Sequence, residues 1–378
     1  MKSAEKRIPL STPTTHGEEL QFVQEAFEKN WIAPLGFNCD KFEAEVSAFL
    51  SNGEQSIHAL SLNAGTAALH LAVKLAGVKR GDVVLCSDMT FAATVNPVSY
   101  EGGEQVFIDS ERETWNMNPL ALERAFEKYP TAKVVMLAHL YGTPAKMDEI
   151  LAICKQHNAV LIEDAAESLS ATYKGQQTGT FGDYGVVSFN GNKIITSSGG
   201  GMLLTKEKYK RDKAFFWATQ ARETAPWYQH EEIGYNYRMS NVVAGIGRGQ
   251  LLHLQEHRDK KEKIYRRYQD GLQGLPVSMN PYLSCSKPNF WLSCMLIDKQ
   301  CLIKPMEILE KLNALNIETR PIWKPMSMQP VFKENDFISV ENSPVGADIF
   351  SRGLCLPSDI KMTEEEQDFV IESIKSCF

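Results

Sequence analysis

Three short runs carry residue types that can do chemistry together. In Ser188-Phe189-Asn190-Gly191-Asn192-Lys193 a lysine follows an apolar, strand-like run and precedes the triplet Gly199-Gly200-Gly201. An amine held at such a strand end and partly desolvated is a nucleophile that forms a Schiff base with an aldehyde. In Val160-Leu161-Ile162-Glu163-Asp164 a carboxylate ends an apolar strand, a costly place for a charge unless something positive meets it. A protonated pyridine nitrogen, a metal ion or an ordinary salt bridge would each answer that need. In Asn63-Ala64-Gly65-Thr66-Ala67-Ala68-Leu69 a glycine and a threonine open a helix directly after a strand. Free N–H groups there make an anion cradle, and a plain helix cap at Thr66 is the alternative. Ser188 adds a hydroxyl at its strand end. Singly each run is ordinary. Together they offer an anion cradle, a buried carboxylate and an amine, which are the three requirements of pyridoxal 5′-phosphate: phosphate held, ring nitrogen protonated, aldehyde tethered.

The elements that must position these groups are legible as alternation. Between residues 55 and 205 the apolar runs Ala59–Leu62, Val83–Ser87, Val106–Ile108, Val134–His139, Leu161–Asp164, Gly185–Phe189 and Met202–Thr205 predict seven strands. Several are apolar throughout, as strands covered on both faces are. Amphipathic segments such as Thr66–Ala76 and Met147–His157 predict helices between them. The pattern is α/β with a mostly parallel seven-stranded sheet, whose ligands gather beyond the carboxyl ends of the strands. After residue 250 the texture changes to a long charged helix over Leu251–Leu272, a strand near Trp291–Ile297, a helix near Pro305–Leu315 and a last helix over Glu364–Ser376. Residues 12–249 are therefore read as the large cofactor-binding domain and 250–378 as a smaller α+β domain, with 1–11 as an N-terminal arm.

A formal net charge of −7 argues against broad nucleic-acid binding. The chain has no apolar run of membrane-spanning length, and its first residues lack the apolar segment of a secretory signal. Eight cysteines without paired spacing fit a reducing, cytoplasmic setting. His253-Leu254-Gln255-Glu256-His257 matches a zinc-protease pattern, but it runs on into Arg258-Asp259-Lys260-Lys261-Glu262, the composition of a solvated, salt-bridged helix. No metal is expected.

The ordered motifs NAGTAAL, SDMTFAAT, LIEDAAES, SFNGNKIITSSGGGM and GYNYRMSN together resemble the sugar-nucleotide aminotransferase (DegT/StrS) family, on the fold-type-I scaffold. The match runs from WIAPLG to ETRPIWKPM. The variant SFNGNKIITSSGGGM, with Gly199 where most relatives carry Glu, is most similar to enzymes of the bacillosamine pathway. These aminate C4 of UDP-4-keto-6-deoxy-N-acetylglucosamine. The resemblance implies that Lys193 tethers pyridoxal phosphate and carries protons, and that Asp164 pairs with its ring nitrogen. It also implies that Phe91 stacks on the ring, that Gly65, Thr66 and Ser188 bind the phosphate, and that Glu167 stands near the ring hydroxyl. Asn236 would reach the phosphate of a neighbouring subunit, making a homodimer with active sites at the subunit interface. Arg238 and Arg320 would meet the nucleotide's charges, and Pro34 and Leu35 of WIAPLG would line the sugar pocket. Ser327 stands where relatives show His, Ser170 where they often show Gly. The implied reaction is ping-pong transfer from L-glutamate, serving amino-sugar and glycan synthesis. A GDP-perosamine-type or dTDP-sugar is the alternative substrate, and a non-catalytic relative the alternative role. A related dehydratase would carry His in place of Lys193.

Overall fold

The computed structural model describes residues 6–51 and 56–378. In chain order its strands are β1 (His58–Leu62), β2 (Val83–Ser87), β3 (Glu104–Ile108), β4 (Val134–Ala138), β5 (Val160–Asp164), β6 (Thr172–Tyr173), β7 (Gln176–Gln177) and β8 (Tyr184–Ser188). They continue as β9 (Gly201–Thr205), β10 (Val277–Met279), β11 (Ser286–Lys287), β12 (Ser293–Ile297), β13 (Arg320–Pro321), β14 (Phe337–Ile338) and β15 (Gly353–Leu356). The main sheet has the order β1-β9-β8-β5-β4-β2-β3-β14. Only β9 runs antiparallel to its neighbours.

All seven expected strands are in this sheet. The eighth, β14, is only two residues long, Phe337 and Ile338, paired with Phe107 and Ile108. So short a strand has no periodicity of its own to read.

The apolar strands are buried because helices cover both faces. On one face the helix Gly65–Leu75 packs Leu69, Leu71 and Val73 with Val84, Val186 and Leu203. On the other, Pro119–Lys128 and Met147–Gln156 pack Leu122, Phe126 and Ile150 against Leu85, Val135 and Leu161. Asn118 caps the first of these by accepting the Leu120 N–H, with Pro119 at its first turn.

A second, antiparallel sheet (β10-β12-β15-β13) has its own core. There Met295 and Leu356 meet Ile264, Ile308, Leu312 and Val370 from the helices Leu254–Gly271, Pro305–Ala314 and Glu364–Lys375. The long charged helix starts at Leu254, not Leu251, because Leu251 closes the preceding helix Asn241–Leu251 and His253 takes the cap position. Near the chain start, Ile8 is buried in this second core and bridges Ile317. No helix among the described residues is long and apolar enough to cross a membrane.

Candidate active site

Strand register assembles the site. Leu62 and Ser188 both pair with Gly201, while Asp164 pairs with Ala138 and Val186. The carboxyl ends of β1, β5 and β8 therefore lie along one edge. A cavity of about 350 Å³ opens there, lined by Gly65, Thr66, Phe91, Asp164, Glu167, Ser188 and Lys193. That volume lies in the range of small-molecule sites, roughly 300–1,000 Å³.

At one end the helix Gly65–Leu75 begins with Ala64 in the cap position and no capping side chain. Thr66 is thus inside the first turn and is not the cap. The first-turn N–H groups are left for an anion. Glycine is needed in this floor, since a Cβ on Gly201 would lie 2.3 Å from the Gly65 nitrogen and one on Gly65 3.2 Å from Ser188 Cβ. Ser188 Oγ accepts the Asn190 N–H at 3.4 Å, and its own O–H has no acceptor among the described residues.

In the middle stands Asp164, buried to 8% exposure. One oxygen accepts the Ala166 N–H at 3.0 Å, and the other accepts the Thr94 hydroxyl at 2.6 Å. Thr94 has only one proton to give, so it accepts from Thr90, 2.6 Å away. Its neighbour Glu163 is structural. That carboxylate accepts the N–H groups of Gly179, Phe181 and Gly182 and pairs with His139.

At the other end is Lys193, its side chain 12% exposed and its Nζ 3.7 Å from Glu167 Oε1. Burial pushes the Glu167 carboxyl up to about 7, against the opposing pull of Lys193 and of the Tyr141 N–H. That N–H donates to Glu167 Oε2 at 2.7 Å. A free helix N-terminus with a hydroxyl beside it, a buried acceptor and an enclosed amine fit pyridoxal phosphate group by group.

The remaining expected residues lie elsewhere. Asn236, Arg320, Pro34 and Leu35 are all exposed and do not line this cavity. Arg320 pairs with Glu318 at 2.8 Å. Arg238 as a nucleotide contact is corrected: it is 5% exposed, and its Nη1 donates to Glu43 Oε1 and the Ser61 carbonyl, both at 2.8 Å. Its charge is spent on a buried carboxylate between the first strand and its covering helix. Ser327 donates to Asp88, outside the cavity lining. Ser170 sits at φ 74°, where glycine is favoured. Gly199 lines the cavity, with open space where a Cβ would stand. His253 and Glu256 gather with His16, and each imidazole of this cluster has a protein partner: His257 with the Ile194 carbonyl, His16 with His257, and His253 with Glu18.

Sequence reasoning missed Trp291, Trp323, Asn190 and Asn192 in the wall. The two asparagines lie inside the lysine run itself and were within reach of it. The tryptophans arrive from more than ninety residues downstream, with no local signal.

The profile of the DegT/DnrJ/EryC1/StrS aminotransferase family matches residues 13–375. EpsN of Bacillus subtilis, named as a pyridoxal phosphate-dependent aminotransferase, is 47% identical over 379 residues, covering 99% of this chain and 96% of its own. GDP-perosamine synthase of Escherichia coli O157:H7 is 33% identical over 373 residues, covering 99% of each chain. Among solved structures, Spr1654 of Streptococcus pneumoniae, named as a sugar aminotransferase and solved in its PLP form, shares the fold. Its TM-score is 0.90 at 22% identity, with 98% of each chain covered.

Proposed function

The chain belongs to the DegT/DnrJ/EryC1/StrS aminotransferase family and is a pyridoxal-phosphate-dependent sugar aminotransferase; from that premise we propose that it aminates C4 of UDP-4-keto-6-deoxy-N-acetylglucosamine, with L-glutamate as donor, for amino-sugar and glycan synthesis. The observation that carries the reading is one cavity holding Lys193, Asp164 and Ser188 around the free start of the helix Gly65–Leu75.

When bound, pyridoxal phosphate supplies an electron sink for the carbon that gives up its proton. Gly65, Thr66 and Ser188 would bind its phosphate. Asp164, which accepts from Thr94 and Ala166, would face the ring nitrogen and hold its proton there. Phe91 would cover the ring face, and Glu167 would stand on the side that carries the ring hydroxyl. Lys193 would tether the aldehyde, and its Nζ is the group that would move the proton at the amine-bearing carbon of donor and acceptor in turn, the logic of a ping-pong cycle.

The UDP-sugar assignment draws on the run Ser197-Ser198-Gly199-Gly200-Gly201, in which Gly199 keeps the cavity wall free of a side chain. A GDP-linked 4-keto-6-deoxy sugar is the second reading, favoured by the similarity to GDP-perosamine synthase. Pro34, Leu35 and Arg320 would meet the substrate from surfaces that a second subunit covers. The working unit is read as a homodimer, in which Asn236 completes the partner's phosphate site. Phe27, Trp31, Ile32, Trp227 and Ile233 are large exposed hydrophobic residues, a type that a partner subunit would cover. Residues 12–249 and 250–378 are read as two domains, supported by their separate sheets and cores, with Ile8 and β14 stitched across the division. A reducing cytoplasm is the setting read from eight free cysteines.

The test is the cofactor's absorbance in the purified protein. L-glutamate should bleach it and UDP-4-keto-6-deoxy-N-acetylglucosamine should restore it, while Lys193→Ala should turn over neither. Restoration by the GDP-sugar alone would move the assignment to the second reading.

A further inference from the structure

A lysine side chain has a flexible four-carbon stem, so an amine that must meet one atom needs something to hold it. Lys193 sits in a turn, with its N–H on the Asn190 carbonyl, and no helix or strand directs its stem. What surrounds the amine is the indole of Trp291. Lys193 Nζ lies 4.2 Å from the centre of that ring, with the Glu167 carboxylate 3.7 Å away. The indole N–H donates to the carbonyl of Asn192, the residue before the lysine, at 2.7 Å. One side chain therefore grips both the amine and the backbone that carries it.

Trp291 is itself fixed on every side. It is 1% exposed. Its backbone N–H donates to Asn289 Oδ1 at 2.9 Å, and the Asn289 amide donates to the carbonyls of Glu167 and Leu169. Its carbonyl accepts from the buried Lys261 at 3.0 Å. Tyr141 and Trp323 pack on the indole, each with ring centres 6.3 Å away. This is a rigid support, since each of its freedoms is taken by a separate partner.

We propose that Trp291 is a positioning residue: its face and its N–H hold Lys193 aimed into the cavity whenever the amine is free. The proposal rests on Lys193 being the amine that captures the cofactor. An ammonium on an aromatic face is favoured by the ring quadrupole. The indole thus gives the amine a fixed resting place beside Glu167; once the ammonium has given one proton to solvent, the neutral amine adds to an aldehyde carbon, and its two remaining protons leave with the carbonyl oxygen as water.

The test uses cofactor-free protein and two probes. Pyridoxine 5′-phosphate has the phosphate and ring but an alcohol in place of the aldehyde, so its affinity reports binding alone. Pyridoxal 5′-phosphate reports covalent capture, followed by absorbance and located by borohydride reduction and peptide mass. Trp291→Leu should bind pyridoxine phosphate within about twofold of the parent yet capture pyridoxal phosphate about tenfold more slowly, and Trp291→Phe, which keeps a face, should recover most of that rate. Melting temperatures are measured alongside. Capture by Trp291→Leu at the parent rate overturns the proposal. So does a loss of probe binding and capture in step with melting temperature across both variants, which is the mark of a merely structural role. Capture by Lys193→Ala at another residue would instead sink the lysine assignment, and the support proposed for it along with it.

Discussion

Asp88 holds its proton unusually long. Burial pushes its carboxyl up to about 7, beside Asp109 and in spite of the hydrogen bonds from the Ser327 N–H and hydroxyl. The folded chain then binds this proton up to about pH 7, while the unfolded chain releases it near 3.8. Stability therefore falls as pH rises between those values. Asp88→Asn cannot lose that proton, so its stability relative to the parent should grow by about 1–3 kcal/mol from about pH 5 to pH 8. Urea titrations at the two pH values measure it, and an unchanged difference would mean Asp88 is ionised throughout. Ser327 gains its explanation at the same scale. Its side chain donates to Asp88 at 3.0 Å and pins the 326–328 turn to the end of β2.

At the scale of elements, the site depends on how closely the start of β9 approaches the start of the helix Gly65–Leu75. Gly201 has β1 on one side and β8 on the other, and a Cβ there would meet Gly65 N at 2.3 Å and Ala64 C at 2.5 Å. Both are backbone atoms, which cannot rotate away. Gly201→Ala should therefore cost about 1–3 kcal/mol of stability. It should also weaken pyridoxine phosphate binding, because the helix start that cradles the phosphate must shift. Denaturant midpoints and probe titrations report the two effects, and retention of full affinity would show that the cradle does not depend on this contact. Arg238 also belongs to this scale. The resemblance implied a nucleotide contact for it, but its placement opposite Glu43 follows from how the helix Phe37–Leu50 crosses β1.

At the scale of the whole molecule, the second core is held together by segments far apart in sequence. Ile8 sits at 2% exposure in the second core, with its N–H on Asn316 and its carbonyl accepting from Glu318. Lys261 is buried and donates to Trp291 and Ser358, with Ser11 of the arm at 3.2 Å. Ile8→Ala should lower stability by about 2–4 kcal/mol in urea unfolding, a large effect for a residue so near the chain start. A change within error would mean that the arm docks without bearing on the fold. Through Lys261 and Trp291 the same ties reach Lys193, so the arm and the second sheet both back the amine that the first sheet presents.

The sequence by itself determined seven of the main sheet's eight strands and the residue types that lie at their ends. Short apolar runs such as Val134–Ala138, bounded by turn residues, read as strands covered on both faces, and their ends set where Gly65, Asp164, Ser188 and Lys193 fall. Strand order was not readable there, and only the tertiary structure decided it. Pairing depends on which apolar faces meet, and that is a property of the packed chain. For the same reason Trp291 and Thr94 carried no signal as supports, because their partners, Lys193 and Asp164, lie 98 and 70 residues away. Arg238 shows the converse: its type suggested an anionic ligand, and packing gave it Glu43. A residue's chemistry is local and can be read from its type, whereas its partner is set by the fold.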